Sequence, residues 1–138
     1  MASPLRAREF TEGARILPGT VKTAQAATKG RPLKRNADGT LQTADAGDRV
    51  CGWPLSDAAA DTNVSYYAPD GQTVIKAKVG TGGATPGKFA TVVADGITNE
   101  PALGGGTTLV ELCGEILEEG VVGDEVALRI FNLTSVKA

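Results

Sequence analysis

The chain has 138 residues, 14 Lys plus Arg against 16 Asp plus Glu, 18 Gly, 7 Pro, no His and only 4% aromatic residues. Such a length supports a single core that buries about 65–70% of the unfolded surface, without a second independent domain. The absence of histidine removes the commonest general base and the commonest transition-metal ligand, and most catalytic and metal hypotheses go with it.

The net charge of −2 is unevenly spread. Residues 1–35 hold Arg6, Arg8, Arg15, Lys22, Lys29, Arg31, Lys34 and Arg35 against Glu9 and Glu12, a balance of +6, which leaves −8 for the remainder. A basic N-terminal region of this kind can dock on an acidic surface, whether a partner or a neighbouring copy. Val, Ala and Thr carry most of the apolar and β-branched content, and β-branched side chains suit the half-buried surface of a sheet better than a helix.

In chain order, residues 1–18 show no clean period: Leu5, Phe10, Ile16 and Leu17 stand isolated among Arg, Glu and small residues, and the segment reads as an N-terminal arm. From Gly19 the pattern changes to short β-rich runs separated by turn signals, which is the spacing of a sandwich or barrel. The runs are Thr20–Thr23, Pro32–Arg35, Thr40–Thr43, Val50–Leu55, Val64–Tyr67, Thr73–Val79, Phe89–Val93, Thr107–Leu112, Gly114–Leu117 and Glu125–Phe131. The Asp38-Gly39 and Asp95-Gly96 steps fit tight hairpin turns. Asp70-Gly71, after Pro69, reads as a linker.

The runs also repeat. Cys51-Gly52 with Leu55 and Val64 recurs as Cys113-Gly114 with Leu117 and Val126, at a constant offset of 62. Upstream, Gly30 and Ala37-Asp38-Gly39 are echoed by Gly87 and Ala94-Asp95-Gly96 at an offset of 57, so a five-residue insertion near Gly104-Gly105-Gly106 reconciles the two spacings. Repetition predicts two copies of one supersecondary unit, each unable to bury its apolar face alone. The fold expected is all-β: a β-sandwich or β-barrel of two pseudo-repeated units, about 19–68 and 72–131, within one domain over 19–138. Leu109, Leu112, Cys113, Ile116 and Leu117 do carry the spacing of an amphipathic helix. Their counterparts include Gly52 and Pro54, which disfavour a helix, so both segments are read as strands.

The repeat also disposes of apparent chemistry. Gly82 to Lys88 matches the start of a nucleotide-binding P-loop, but Phe89 stands where that motif needs Ser or Thr and a helix. A turn feeding a strand is the simpler account. Cys51 and Cys113 occupy matching positions and read as free thiols, since the first 30 residues lack the apolar core of a secretory signal. No window reaches the length of a membrane-spanning helix, and synthesis in the cytoplasm is expected. Glu118-Glu119 and Asp124-Glu125 lack the alternating ligands of a calcium loop and read as solvated. Lys29, Arg31, Lys34 and Arg35 form the densest basic cluster, but no aromatic residues stand beside it to stack bases. That cluster is expected at a partner or subunit interface rather than on nucleic acid.

Read together, Cys113-Gly114-Glu115-Ile116-Leu117-Glu118-Glu119 through Gly123-Asp124-Glu125-Val126-Ala127-Leu128, preceded by Thr85-Pro86-Gly87-Lys88 and Ala94-Asp95-Gly96-Ile97, resembles the small decoration, or cement, proteins of tailed bacteriophage heads. The first copy looks like the same element, with Asp61-Thr62 where the second has Gly123-Asp124, and the likeness spans about Gly19 to Phe131. The resemblance implies a non-enzymatic β protein without a cofactor, typically trimeric. It would sit on the outer face of an assembled head and clamp neighbouring major capsid subunits. The arm residues Leu5, Arg6, Arg8, Phe10, Arg15 and Ile16 are then the expected capsid contacts. The competing expectation is a carbohydrate- or host-surface-binding module of a fibre or spike, with Trp53, Tyr66 and Tyr67 as stacking residues.

Overall fold

A computed structural model describes residues 15–17, 23–101 and 108–137. All its regular structure is β, and no helix occurs among the described residues. The strands are β1 (Ile16–Leu17), β2 (Leu33–Arg35), β3 (Leu41–Thr43), β4 (Trp53–Pro54), β5 (Tyr66–Tyr67), β6 (Val74–Lys78), β7 (Phe89–Val93), β8 (Gly96–Asn99), β9 (Thr108–Ile116) and β10 (Glu125–Lys137).

The later strands form one antiparallel sheet in the order β6-β10-β9-β7-β8. Just past β6, Val79 makes a parallel bridge to Ile97 of β8, and Gly80 N–H donates to the Ile97 carbonyl at 2.8 Å. That contact returns the last strand to the first and closes the sheet into a small barrel. The earlier strands follow the same plan with shorter pieces. β1-β5-β4 form one sheet and β2-β3 another, and the antiparallel bridge Leu33↔Gly52 joins them in the order β1-β5-β4-β2-β3. Closure comes from the parallel bridge Thr23↔Leu41, with Ala24 N–H donating to the Leu41 carbonyl at 2.7 Å.

The pairings correspond residue by residue. Trp53↔Tyr67 and Pro54↔Tyr66 in the first half match Glu115↔Arg129 and Ile116↔Leu128 in the second, each 62 positions on. Leu33↔Gly52 matches Ala90↔Gly114, and the two backbone hydrogen bonds exchanged between Ala27 and Ala58 match those exchanged between Ala84 and Gly120. The Cys-Gly step has the same steric reason in both halves. A Cβ on Gly52 would lie 2.1 Å from Cδ2 of Tyr66, and one on Gly114 would lie 2.7 Å from Cγ of Leu128. A side chain from the adjacent strand packs over each glycine, and neither site has room for a methyl group.

Several sequence expectations change. Ile16 and Leu17, assigned to the arm, pair with Tyr67 and Tyr66 as β1, in the place that Val74 and Ile75 of β6 hold against Arg129 and Leu128. β8 was missed, β9 is one strand where two runs were predicted, and β10 continues to Lys137. The two Asp-Gly turns are not in register. β7–β8 closes tightly at Val93↔Gly96, whereas β2–β3 closes at Arg35↔Leu41 around a longer turn. The segment expected to hold the insertion, near Gly104-Gly105-Gly106, lies outside the described residues, as do Thr20 and most of the arm.

Two clusters make the core. Ala27, Leu33, Leu41, Val64 and Tyr66 fill the first half. Their counterparts Ala84, Ala90, Ile97, Val126 and Leu128 lie in a larger cluster that also takes in Ala44, Val50 and Trp53 from the first half. Trp53, 1% exposed, therefore ties the halves together. Burying an aromatic ring of that size is worth roughly 3 kcal/mol. The linker is fastened as well: Asp70 accepts from Gln72 N–H (2.9 Å), Thr73 N–H (2.8 Å) and Thr73 Oγ1 (2.8 Å), and Gly71 N–H donates to the Ile130 carbonyl at 2.8 Å.

Candidate functional site

Of the arm residues singled out in sequence, Leu5, Arg6, Arg8 and Phe10 lie outside the described residues. Arg15 and Ile16 are exposed at the edge strand β1, where the Arg15 carbonyl accepts from Ala68 N–H at 2.8 Å. Ile16, on this sheet edge, is 49% exposed.

The basic cluster is largely committed within the chain. Arg31 reaches across the halves, its Nη2 donating to the Ala94 carbonyl at 2.7 Å. The same guanidinium adds to the hydrogen bonds from Thr81 N–H and Oγ1 that hold the Asp95 carboxyl below the usual range. Lys34 pairs with Asp48 at 3.2 Å. The backbone N–H of Lys29 donates to Asp57 Oδ1 at 2.8 Å, leaving its exposed side chain free to meet solvent. Arg35 donates from Nη2 to the Tyr66 hydroxyl at 2.8 Å and has no carboxylate partner among the described residues.

Arg35 faces a surface cavity of about 340 Å³ that it lines with Arg49, Val50, Cys51 and Asn132. Three segments meet there: the end of β2, the strand entry before β4, and the irregularity in β10 between Ile130 and Leu133, where Asn132 sits. Arg49 is exposed and has no hydrogen-bonded or ion-paired partner among the described residues. Arg49 lies beyond the basic segment 1–35 and drew no attention in sequence; its neighbour Asp48 is occupied by Lys34 and by Asp45 N–H at 2.8 Å. Two guanidinium groups in one concavity make a receptor for a carboxylate or another planar anion. Burial pushes the Cys51 thiol up, against the opposing pull of Arg35, so the thiol stays neutral and supplies no nucleophile at neutral pH.

Cys113 is wholly buried and its thiol is pushed up to about 12 by burial. Both cysteines are free. Among the described residues no group of His, Cys, Asp or Glu has the arrangement to hold a metal ion. Trp53 and Tyr66, two of the three residues proposed to stack a sugar, are 1% and 3% exposed, so only Tyr67 retains surface. The outer face of the second sheet bears a compact polar-aromatic group instead. Arg129 pairs with Glu115 at 2.8 Å and lies 5.4 Å from the Phe131 ring centroid, and Phe131 meets Phe89 edge-on at 5.3 Å.

At the far end of β10 the β9–β10 connection projects from the barrel. Val121 and Val122 are 69% and 56% exposed at its tip, and the neighbouring Glu119 is exposed. The first-half loop places Ala59 and Ala60 at the corresponding positions. Its backbone reversal uses Asp61 at φ 60° where the second half uses Gly123 at φ 94°.

No family model matches the chain, and no curated protein matches it. Its fold is similar to the crystal structure of the N base of head fiber gp8.5 of bacteriophage phi29, with a TM-score of 0.62 and 15% identity over 90% of this chain and 98% of that one. At this identity the likeness is one of fold, and it places the chain among all-β folds that extend across nearly the whole of that fibre base.

Proposed function

We propose that the chain is a non-enzymatic structural protein of a tailed-bacteriophage virion, attached to the outer surface of the assembled head. The observation that carries this reading is the fold shared with a phage head-fibre base over 98% of that chain. In the finer form, the protein is a homotrimeric decoration protein that stabilises contacts between major capsid subunits, made in the host cytoplasm and binding neither nucleic acid nor membrane.

The chemistry of the surface is compatible with such a role. An arm with Arg6, Arg8 and Arg15 among Leu5, Phe10 and Ile16 offers paired charge and apolar anchors to a shell. Several weak contacts, presented by an oligomer on a repeating lattice, add up through effective concentration. Ile16 and Leu17 of that segment are fixed to a sheet as β1. The test is co-sedimentation of the purified protein with head shells of its phage, in full-length form and lacking residues 1–14. The reading expects saturable binding by the full-length chain and a loss of about tenfold or more on truncation. Failure of the full-length protein to sediment with intact shells would overturn it.

A further inference from the structure

The two halves follow one pairing scheme, so residues that break the correspondence stand out. In the first half Asp57 is tied down by Lys29 N–H at 2.8 Å. Its counterpart 62 positions on is Glu119, and the counterpart of Lys29 is Pro86, which has no N–H to give. Glu119 is accordingly exposed and has no partner among the described residues. Beside it the loop tip carries two exposed valines, Val121 and Val122, where the first half has two alanines. The second half therefore projects a free carboxylate next to an apolar tip.

The first half shows the converse. Arg35 and Arg49 line the cavity with Val50 and Cys51, whereas the residues corresponding to the two arginines are Val92 and Glu111. One end of the molecule thus offers a concave site with two guanidinium groups uncompensated by carboxylate and an apolar wall. The other offers a convex tip with a free carboxylate and two apolar side chains. A chain cannot join its own two ends: β10 runs from Glu125, at the foot of the tip, to Asn132, at the rim of the cavity, a separation of about 24 Å for seven extended residues.

We infer that these ends join copies of the chain head to tail: the Glu119–Val122 tip of one protomer seats in the Arg35–Arg49 cavity of the next. Glu119 meets the guanidinium pair, and a valine side chain covers Val50 and Cys51. The inference rests on the homo-oligomer reading above and specifies its interface. A contact between two different surfaces is heterologous, and three such contacts related by a threefold axis close into a ring. Charge complementarity selects this occupant, because the tip supplies an unpaired acid and the cavity lacks one.

The test is native mass measurement with charge reversal. Arg49 and Glu119 are both exposed and make no described intrachain contact, so Arg49→Glu and Glu119→Arg leave the fold intact, as an unchanged far-ultraviolet circular dichroism spectrum would verify. Each single reversal is expected to weaken self-association by about tenfold or more. The double variant, which restores one opposite-charge pair across the interface beside the unchanged Arg35, is expected to recover part of the loss. A wild-type chain that stays monomeric overturns both this interface and the oligomer reading. An oligomer that persists in both single variants, or is not recovered in the double variant, overturns the interface alone.

Discussion

The first and second halves of this protein use the same hydrogen-bonding scheme to build barrels of different solidity. In the second half, β9 and β10 run over nine and thirteen residues, while their counterparts β4 and β5 are two residues each. Pro54 is one cause. Its counterpart Ile116 donates its N–H to the Lys88 carbonyl at 2.9 Å, a bond that proline cannot make, so the first half keeps only the Leu33↔Gly52 bridge where the second has an extended ladder. The first half makes up for its short ladders by lending Ala44, Val50 and Trp53 to the larger core. One topology thus tolerates wide variation in strand length provided that the closure bridges and the packed glycines remain.

The sharpest way to break the comparison is to remove the ring that links the halves. Trp53→Ala should cost about 3–5 kcal/mol, read from chemical denaturation, because a side chain 1% exposed leaves a cavity. Trp53→Phe sharpens the point: Trp53 Nε1 is buried without a partner among the described residues, so the smaller ring removes that donor and should cost much less than the alanine change. If the scheme is shared, Gly52→Ala and Gly114→Ala should both destabilise by about 1–3 kcal/mol, since each new methyl meets the adjacent strand. Tolerance at one of the two glycines would show that the packing is not equivalent.

Smaller effects test the turn that differs. Gly123→Ala adds a Cβ at φ 94° with nothing within 4 Å, so backbone strain alone should cost about 1–2 kcal/mol. The acid limb of the stability curve adds a pH test. Burial disfavours ionisation of Asp70, but its hydrogen bonds from Thr73 and Gln72 outweigh that effect and hold the carboxyl below 3.8. Thr81 does the same for Asp95, and Thr40 for Asp38. Lowered folded values mean that this stabilisation is complete above the unfolded value and is lost as pH falls through the folded ones. Melting temperature should therefore respond to these three groups only below about pH 4. In alkylation of the native protein, Cys51 should react slowly and Cys113 not at all until unfolding, in line with their half-buried and buried sites.

Much of the fold was legible in sequence because the constraints recur. The Cys-Gly steps, the turn glycines Gly30 and Gly87 and the buried Val64 and Val126 mark positions where geometry permits few residue types. β1 was not legible, since Ile16–Leu17 is too short to show alternation and lies in a basic segment. The end of β10 was hidden by Asn132 and Thr134, polar residues on a ribbon that extends past β6. The cavity was not legible at all. It depends on Asp48 turning to Lys34 rather than to Arg49, and on β10 bringing Asn132 from the other half of the chain. Of the described site residues read from sequence, Arg35 alone lines it, while Arg31 and Lys34 serve as internal ties.

Electron cryomicroscopy of head shells incubated with the purified protein would show whether it is a structural protein on the outside of a phage head. The expected result is added density on the outer surface, at repeated lattice positions, into which three copies of the double-barrel chain fit with their β1 edges toward the shell. Saturated shells with no added density, or density confined to the interior, would contradict it.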